Sequence, residues 1–160
     1  MVRAAEKMLA SAEEYCRLIE AMGEFSDTGL SRLLELLPRL HAQMSVLAND
    51  AVDLGLACDP DLDARFELFS RLHDLLGERD GYWLEFDGVL GGQAMTGSLA
   101  DDLTDIYCEL KHALNLLESS PDPAIALKGL RQGYRVHWGQ HLVDAERHLF
   151  CLQARNELAV

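Results

Sequence analysis

Between Tyr134 and Leu149 two stripes of different chemistry run at helical spacing. Leu127, Tyr134, Trp138, Leu142, Ala145, Leu149 and Leu152 form an apolar stripe. His137, His141, Asp144 and His148 are spaced four, three and four. On a helix turning about 100° per residue these four fall within roughly 60° of one another. The polar ladder therefore lies on the flank of a core-facing surface. Gly139 interrupts the helix, where it costs about 1 kcal/mol against alanine. It is expected to admit another backbone or a bulky ring, such as one from Tyr82-Trp83.

The rest of the chain repeats the helical period. Met8, Ala12, Tyr15, Ile19 and Met22 mark a first helix from about residue 3 to 22, with Gly23 ending it. Ser26-Asp27-Thr28-Gly29 reads as a capping turn. A second helix over about 30–54 carries Leu33, Leu36, Leu37, Leu40, Met44 and Leu47, and Pro38 predicts a kink or a division into two. Asp59-Pro60 opens a third, with Leu62, Phe66, Phe69, Leu72 and Leu76 facing inward and Gly77 stopping it. Residues 78–97 are irregular. They hold the aromatic anchors Tyr82 and Trp83 in a strand or single turn, then a Gly-rich loop that fits no phosphate-binding pattern. Ser98 and Asp101 propose a capping box for a fourth helix, whose stripe is Leu99, Leu103, Ile106, Leu110, Leu114 and Leu117. Ser119 to Pro123 is a break, and Asp122-Pro123 starts a fifth helix reaching about Ala154. The expected architecture is one all-α domain of 160 residues. It is a bundle of about five helices with the Gly-rich loop before the fourth.

Charge narrows the partners. The chain has 27 acidic and 14 basic residues, a net charge of −13. Such a surface repels phosphate backbones and anionic membranes, so neither nucleic acid nor membrane is expected. No apolar run is long enough to span a bilayer, and residues 1–14 lack a secretory pattern. Cys16, Cys58, Cys108 and Cys151 form no C-x-x-C pair and read as reduced thiols. The expected location is the cytoplasm.

The fourth helix carries Asp101, Asp102, Asp105 and Glu109. Asp102 and Glu109 flank its apolar stripe, while Asp101 and Asp105 point further out. The helix dipole accounts for acids in the first turn but not for Asp105 and Glu109. If this row faces the His ladder, imidazoles and carboxylates converge, which suits a divalent transition metal. The candidate cluster is Asp102, Asp105, Glu109, His137, His141, Asp144 and His148, with His137, His141, Asp102 and Asp105 as ligands. Trp138 is read as a core anchor. His41, His73 and His112 have no evident partner. No H-E-x-x-H pattern and no pair of E-x-x-H motifs of the di-iron type is present, and no Ser or Cys nucleophile has a base beside it.

Gly97-Ser-Leu-Ala-Asp-Asp-Leu-Thr-Asp-Ile-Tyr107 and His137-Trp-Gly-Gln-His-Leu-Val-Asp-Ala145 with His148 resemble a bacterial family described as domain of unknown function 5063. Leu36-Leu37-Pro38 and Tyr82-Trp83 resemble it in the same order, and His41 departs from the tyrosine expected there. The resemblance implies a compact helical cytosolic protein and no assigned activity.

Two functional expectations follow. One is an interaction or accessory domain, with a protein partner or self-association, in which the Asp/His network fixes helix register. The alternative is a metal-dependent hydrolase of phosphoesters or nucleotides. A remote likeness to all-α nucleotide pyrophosphatases rests on Asp102-x-x-Asp105 and Glu13-Glu14.

Overall fold

The computed structural model describes residues 2–23, 26–47, 61–84, 95–119 and 122–158. Its elements are α1 (Val2–Ala21), α2 (Ser26–Leu47), α3 (Leu62–Leu76), a 3-10 turn (Gly77–Arg79), β1 (Gly81–Leu84), β2 (Met95–Ser98), α4 (Leu99–Ser119), α5 (Pro123–Gly133), a π turn (Tyr134–Trp138) and α6 (Gly139–Ala154). The last three follow one another directly, so the expected fifth helix exists with a π turn inside it. The all-α class holds, with a small antiparallel hairpin added.

α4 is the central helix, with α1, α3, α5 and α6 packed around it. The core runs along it through Leu99, Leu103, Ile106 and Leu110, all buried. Each such side chain contributes roughly 1.5–3 kcal/mol. Tyr15 of α1 is fully buried and donates its hydroxyl to the Leu103 carbonyl at 2.9 Å. α2 closes the opposite side against α1 and α6. It runs through Pro38 as one helix. Pro38 is exposed, so the backbone bond it forfeits is lost at the surface.

Several sequence expectations are corrected. Ser26 to Gly29 form the first turn of α2 instead of a turn before it. Asp61 caps α3, accepting from the Asp63 and Ala64 amides; Asp59 and Pro60 lie outside the described residues, as does most of the Gly-rich loop. Leu62 and Phe66 do not face inward but are 75% and 66% exposed. The inward direction at that end of α3 is taken by Arg65, which reaches α4. Trp83 is not an anchor: it lies on the outer face of the hairpin, 68% exposed. Trp138 is one, fully buried with its indole N–H on the Leu130 carbonyl at 3.1 Å. Gly77 ends α3 as expected, at φ +54°.

Asp80 organises the start of α4 from outside it. Its buried carboxylate accepts from the Ala100 amide at 2.7 Å and from the Ser98 hydroxyl at 3.0 Å. Its carbonyl accepts from the Leu99 amide at 2.9 Å. The Ser98 hydroxyl does accept from the Asp101 amide, but the Asp101 carboxylate turns away to Arg65, so the capping box is not closed. His73, which had no evident partner in sequence, holds Asp80 at 2.9 Å.

Candidate metal centre

α4 and the π turn bring the two polar rows face to face. The π turn is built on glycine. The Tyr134 carbonyl lies where a Cβ on Gly139 would stand, and the Gly139 amide donates to that carbonyl. The group admitted at Gly139 is therefore Tyr134, not the Tyr82-Trp83 pair. At Gly133, a Cβ would stand 2.5 Å from Glu109 Oε2, so the missing side chain makes room for a carboxylate of α4. The Trp138 indole spans the turn to Leu130 and fixes its far end.

Asp105 is buried, contrary to the outward direction read from the helical wheel. α3 covers that side of α4, and Arg65 donates Nε to Asp105 Oδ1 at 2.7 Å and Nη2 to Asp101 at 2.8 Å. The other Asp105 oxygen, Oδ2, points at two imidazoles. His141 Nε2 is 3.3 Å away and His137 Nε2 3.8 Å. The ligand atoms of Asp105, His137 and His141 all lie within 4.8 Å of one another. The two rings meet edge to face, with centroids 5.1 Å apart.

Each ring is held from behind. His141 Nδ1 is 2.8 Å from Asp102 Oδ1, and His137 Nδ1 is 3.1 Å from Glu109 Oε1. Asp102 in turn accepts the Tyr82 hydroxyl. Tyr82 reaches it because Gly97, its partner across the hairpin, has no side chain to obstruct the ring. Asp102 is thus not among the converging atoms, although the sequence nominated it as a ligand. One helical turn below Asp105's level, it meets the opposite nitrogen of His141.

The electrostatics favour positive charge in the gap. When the His141 proton is on Nδ1 toward Asp102, the Nε2 lone pair faces a carboxylate oxygen, an arrangement that repels unless a cation stands between. The Asp102 hydrogen bond pushes the His141 pKa above its ordinary 6.5, with Asp105 and Asp101 adding to it and burial opposing. Burial pushes Asp102 itself up, against the bonds from His141 and Tyr82. The two shifts pull opposite ways on a charged pair. The direction of His141 decides, because three carboxylates act on it while solvent still reaches its ring.

Two ladder members stand apart. Asp144 pairs with Gln140 at 2.9 Å. His148 is buried, bonded through Nε2 to the Arg79 carbonyl at 2.7 Å and stacked on Tyr82 at 4.6 Å between centroids. His41 lies at a separate place, 3.1 Å from Glu146. Sequence reasoning missed Arg65, Tyr82's hydroxyl and Asp80. An arginine on the otherwise apolar face of α3 was the available signal for the first.

The family profile of a domain of unknown function, DUF5063, matches residues 2–155. The chain belongs to the DUF5063 family. No functionally curated protein matches it. Among solved structures it is similar to protein BF1032 from Bacteroides fragilis, with a TM-score of 0.74 and 20% identity. The match covers 92% of this chain and 90% of that one. At this identity the likeness to BF1032 concerns the fold alone. Among the described residues of this DUF5063 chain no helix is long and apolar enough to cross a membrane.

Proposed function

We propose that this DUF5063 chain binds a divalent transition ion through Asp105, His137 and His141 and uses it for hydrolytic chemistry. One observation carries the reading: both imidazoles turn Nε2 toward one carboxylate oxygen while a separate carboxylate holds each Nδ1. Metal-binding histidines are held in this way, since a carboxylate on the far nitrogen fixes the tautomer and raises the basicity of the near one. One of the separations, between Asp105 and His141, suits zinc. Four donors placed tetrahedrally 2.0–2.1 Å from an ion stand about 3.3–3.4 Å apart; octahedral neighbours at that radius stand only about 2.9 Å apart. The Asp105–His141 separation is 3.3 Å, and His137, the more exposed ring, would close by a small rotation. A bound ion would lower the pKa of a coordinated water to about 7, making hydroxide available at neutral pH.

The test is elemental analysis of untagged protein beside the variant His141→Ala, with melting curves before and after chelation. Near-stoichiometric zinc in the wild type, absent in the variant, together with a melting temperature that falls on chelation and returns on adding zinc, supports the reading. A competing reading treats the cluster as a structural network, and it too has an observation: Arg65 already neutralises part of Asp105's charge. Under that reading chelation changes nothing, and His141→Ala alone destabilises.

A further inference from the structure

Behind Asp102 the hydrogen bonds run on to the hairpin. The Tyr82 hydroxyl donates to Asp102 Oδ2, while Oδ1 of the same carboxylate is 2.8 Å from His141 Nδ1. A carboxylate is a rigid plane on one rotatable bond, so a partner that fixes Oδ2 also fixes where Oδ1 lies. Asp102 is buried, and Tyr82 comes to it from outside the bundle, on β1. The ring crosses directly over Gly97, its partner on β2, where a Cβ would stand 2.3 Å from Tyr82 Cε2 and Cζ. It stacks on buried His148 at 4.6 Å between centroids, and the Arg147 guanidinium lies 5.6 Å from its centroid. Arg147 also donates to the Trp83 carbonyl at 3.0 Å, which ties the same strand to α6. A phenyl ring in place of Tyr82 would keep the stacking and lose the bond to Asp102.

We infer that Tyr82 is a positioning residue for the candidate centre, and that through it the β1–β2 hairpin regulates the centre, which holds its ion more tightly while the hairpin is docked. The inference rests on the metal reading above and adds the element that controls affinity. The hydroxyl touches none of the three converging side chains. It acts through Asp102 on the direction of His141. Groups behind a metal-bound histidine contribute about 10–100-fold in affinity, and Tyr82 stands one contact further back, so the lower end of that range is expected. The coupling is reciprocal: if docking raises the affinity about tenfold, the ion slows opening of the hairpin by the same factor. Gly97 offers a second handle on the same contact. Its φ is not positive, so alanine suits the backbone, and the atoms a Cβ would meet are the far end of the Tyr82 ring. Gly97→Ala therefore moves the hydroxyl off Asp102 without removing it.

The test is zinc affinity, measured by competition with a chromophoric chelator, for wild type, Tyr82→Phe and Gly97→Ala, each also in an Asp102→Ala background. Both single variants are expected to bind zinc about tenfold more weakly. Once residue 102 is alanine there is no carboxylate to position, and neither should change the affinity by more than about twofold. A hydroxyl that only supported the fold would lower the melting temperature and leave the affinity unmoved. Amide exchange over Gly81–Leu84 and Met95–Ser98 reads the reciprocal half: zinc should slow it about tenfold in wild type and not in Tyr82→Phe. Wild-type affinity in Tyr82→Phe overturns the positioning role and leaves the metal reading standing. A loss that persists undiminished in the Asp102→Ala background overturns it as well, because the hydroxyl would then act by another route. Hairpin exchange that zinc leaves unchanged in wild type overturns the regulation. If Tyr82→Phe fails to fold, Gly97→Ala carries the same comparison. A wild type that takes up no zinc sinks the metal reading itself, and this extension with it.

Discussion

The carbonyl oxygen of Tyr134 occupies the space in which a Cβ on residue 139 would stand. Helix propensity alone favours alanine over glycine there by about 1 kcal/mol. The contact is with backbone, which cannot swing aside, so Gly139→Ala is expected to destabilise by about 1–3 kcal/mol. Gly129, also helical, has nothing within 4 Å of its Cβ position. Gly129→Ala should therefore stabilise by about 0.4–1 kcal/mol. Urea denaturation of the two variants checks the pair, and equal effects would remove the special role given to Gly139.

Asp102 supports His141 without touching the proposed ion. Asp102→Asn should weaken zinc binding by about 10–100-fold, whereas Asp105→Asn removes a ligand and should weaken it further. Competition with a chromophoric chelator measures both. If Asp102→Asn bound zinc as tightly as wild type, the supporting role would be wrong.

Asp80 caps α4 from another segment, and its loss orphans the Ala100 amide and the Ser98 hydroxyl. Asp80→Ala is expected to cost about 1–3 kcal/mol, the penalty of buried donors left unpaired. Thermal melts would show it, and a neutral result would mean that water replaces the carboxylate.

Glu20 gives the pH dependence. The Lys111 ammonium, at 2.8 Å, holds its carboxyl below the ordinary 4.5, helped by the Tyr107 hydroxyl. A carboxyl depressed on folding adds stability that is complete above the unfolded value and is lost as the pH falls through the folded one. Glu20→Gln should therefore be less stable than wild type at neutral pH, and the gap should close as the pH falls below 4.5. Melting temperatures across that range test it. A gap that stayed constant would assign Glu20 a role in packing instead of charge.

Much of the fold was legible because apolar spacing reports helices directly. The stripes of α1, α4 and α6 were read residue by residue and are buried, apart from Leu114 and Leu117 of α4, which are only partly so. What failed was direction where a neighbour decides it. Leu62 and Phe66 fit an inward stripe in isolation, yet α3 presents Arg65 to Asp101 and Asp105. Asp105 looked outward for the same reason: a wheel drawn for one helix omits α3 from the other side of α4. Each polar row was legible on its own flank, but not that the acidic row meets His137 and His141, nor which atoms converge, because that depends on how the helices pack, on χ angles and on a π turn that a period of 3.6 conceals.

The π turn has a consequence for how the chain tolerates a change in length. A π turn holds one residue more than the α-helical turn it replaces. The path from Pro123 to Ala154 is in effect an α-helix with a single-residue insertion at Tyr134–Trp138. Spread along the helix, such an insertion would rotate α6 by about 100° and carry Leu142, Ala145 and Leu149 off the core. Absorbed at Gly139, it leaves them in phase with Leu130 behind it. Deleting the exposed Val136 should therefore yield an ordinary helix that packs as before, while His137 loses its place opposite Asp105. The bundle and its candidate centre would then be separable, the second added to the first by one residue.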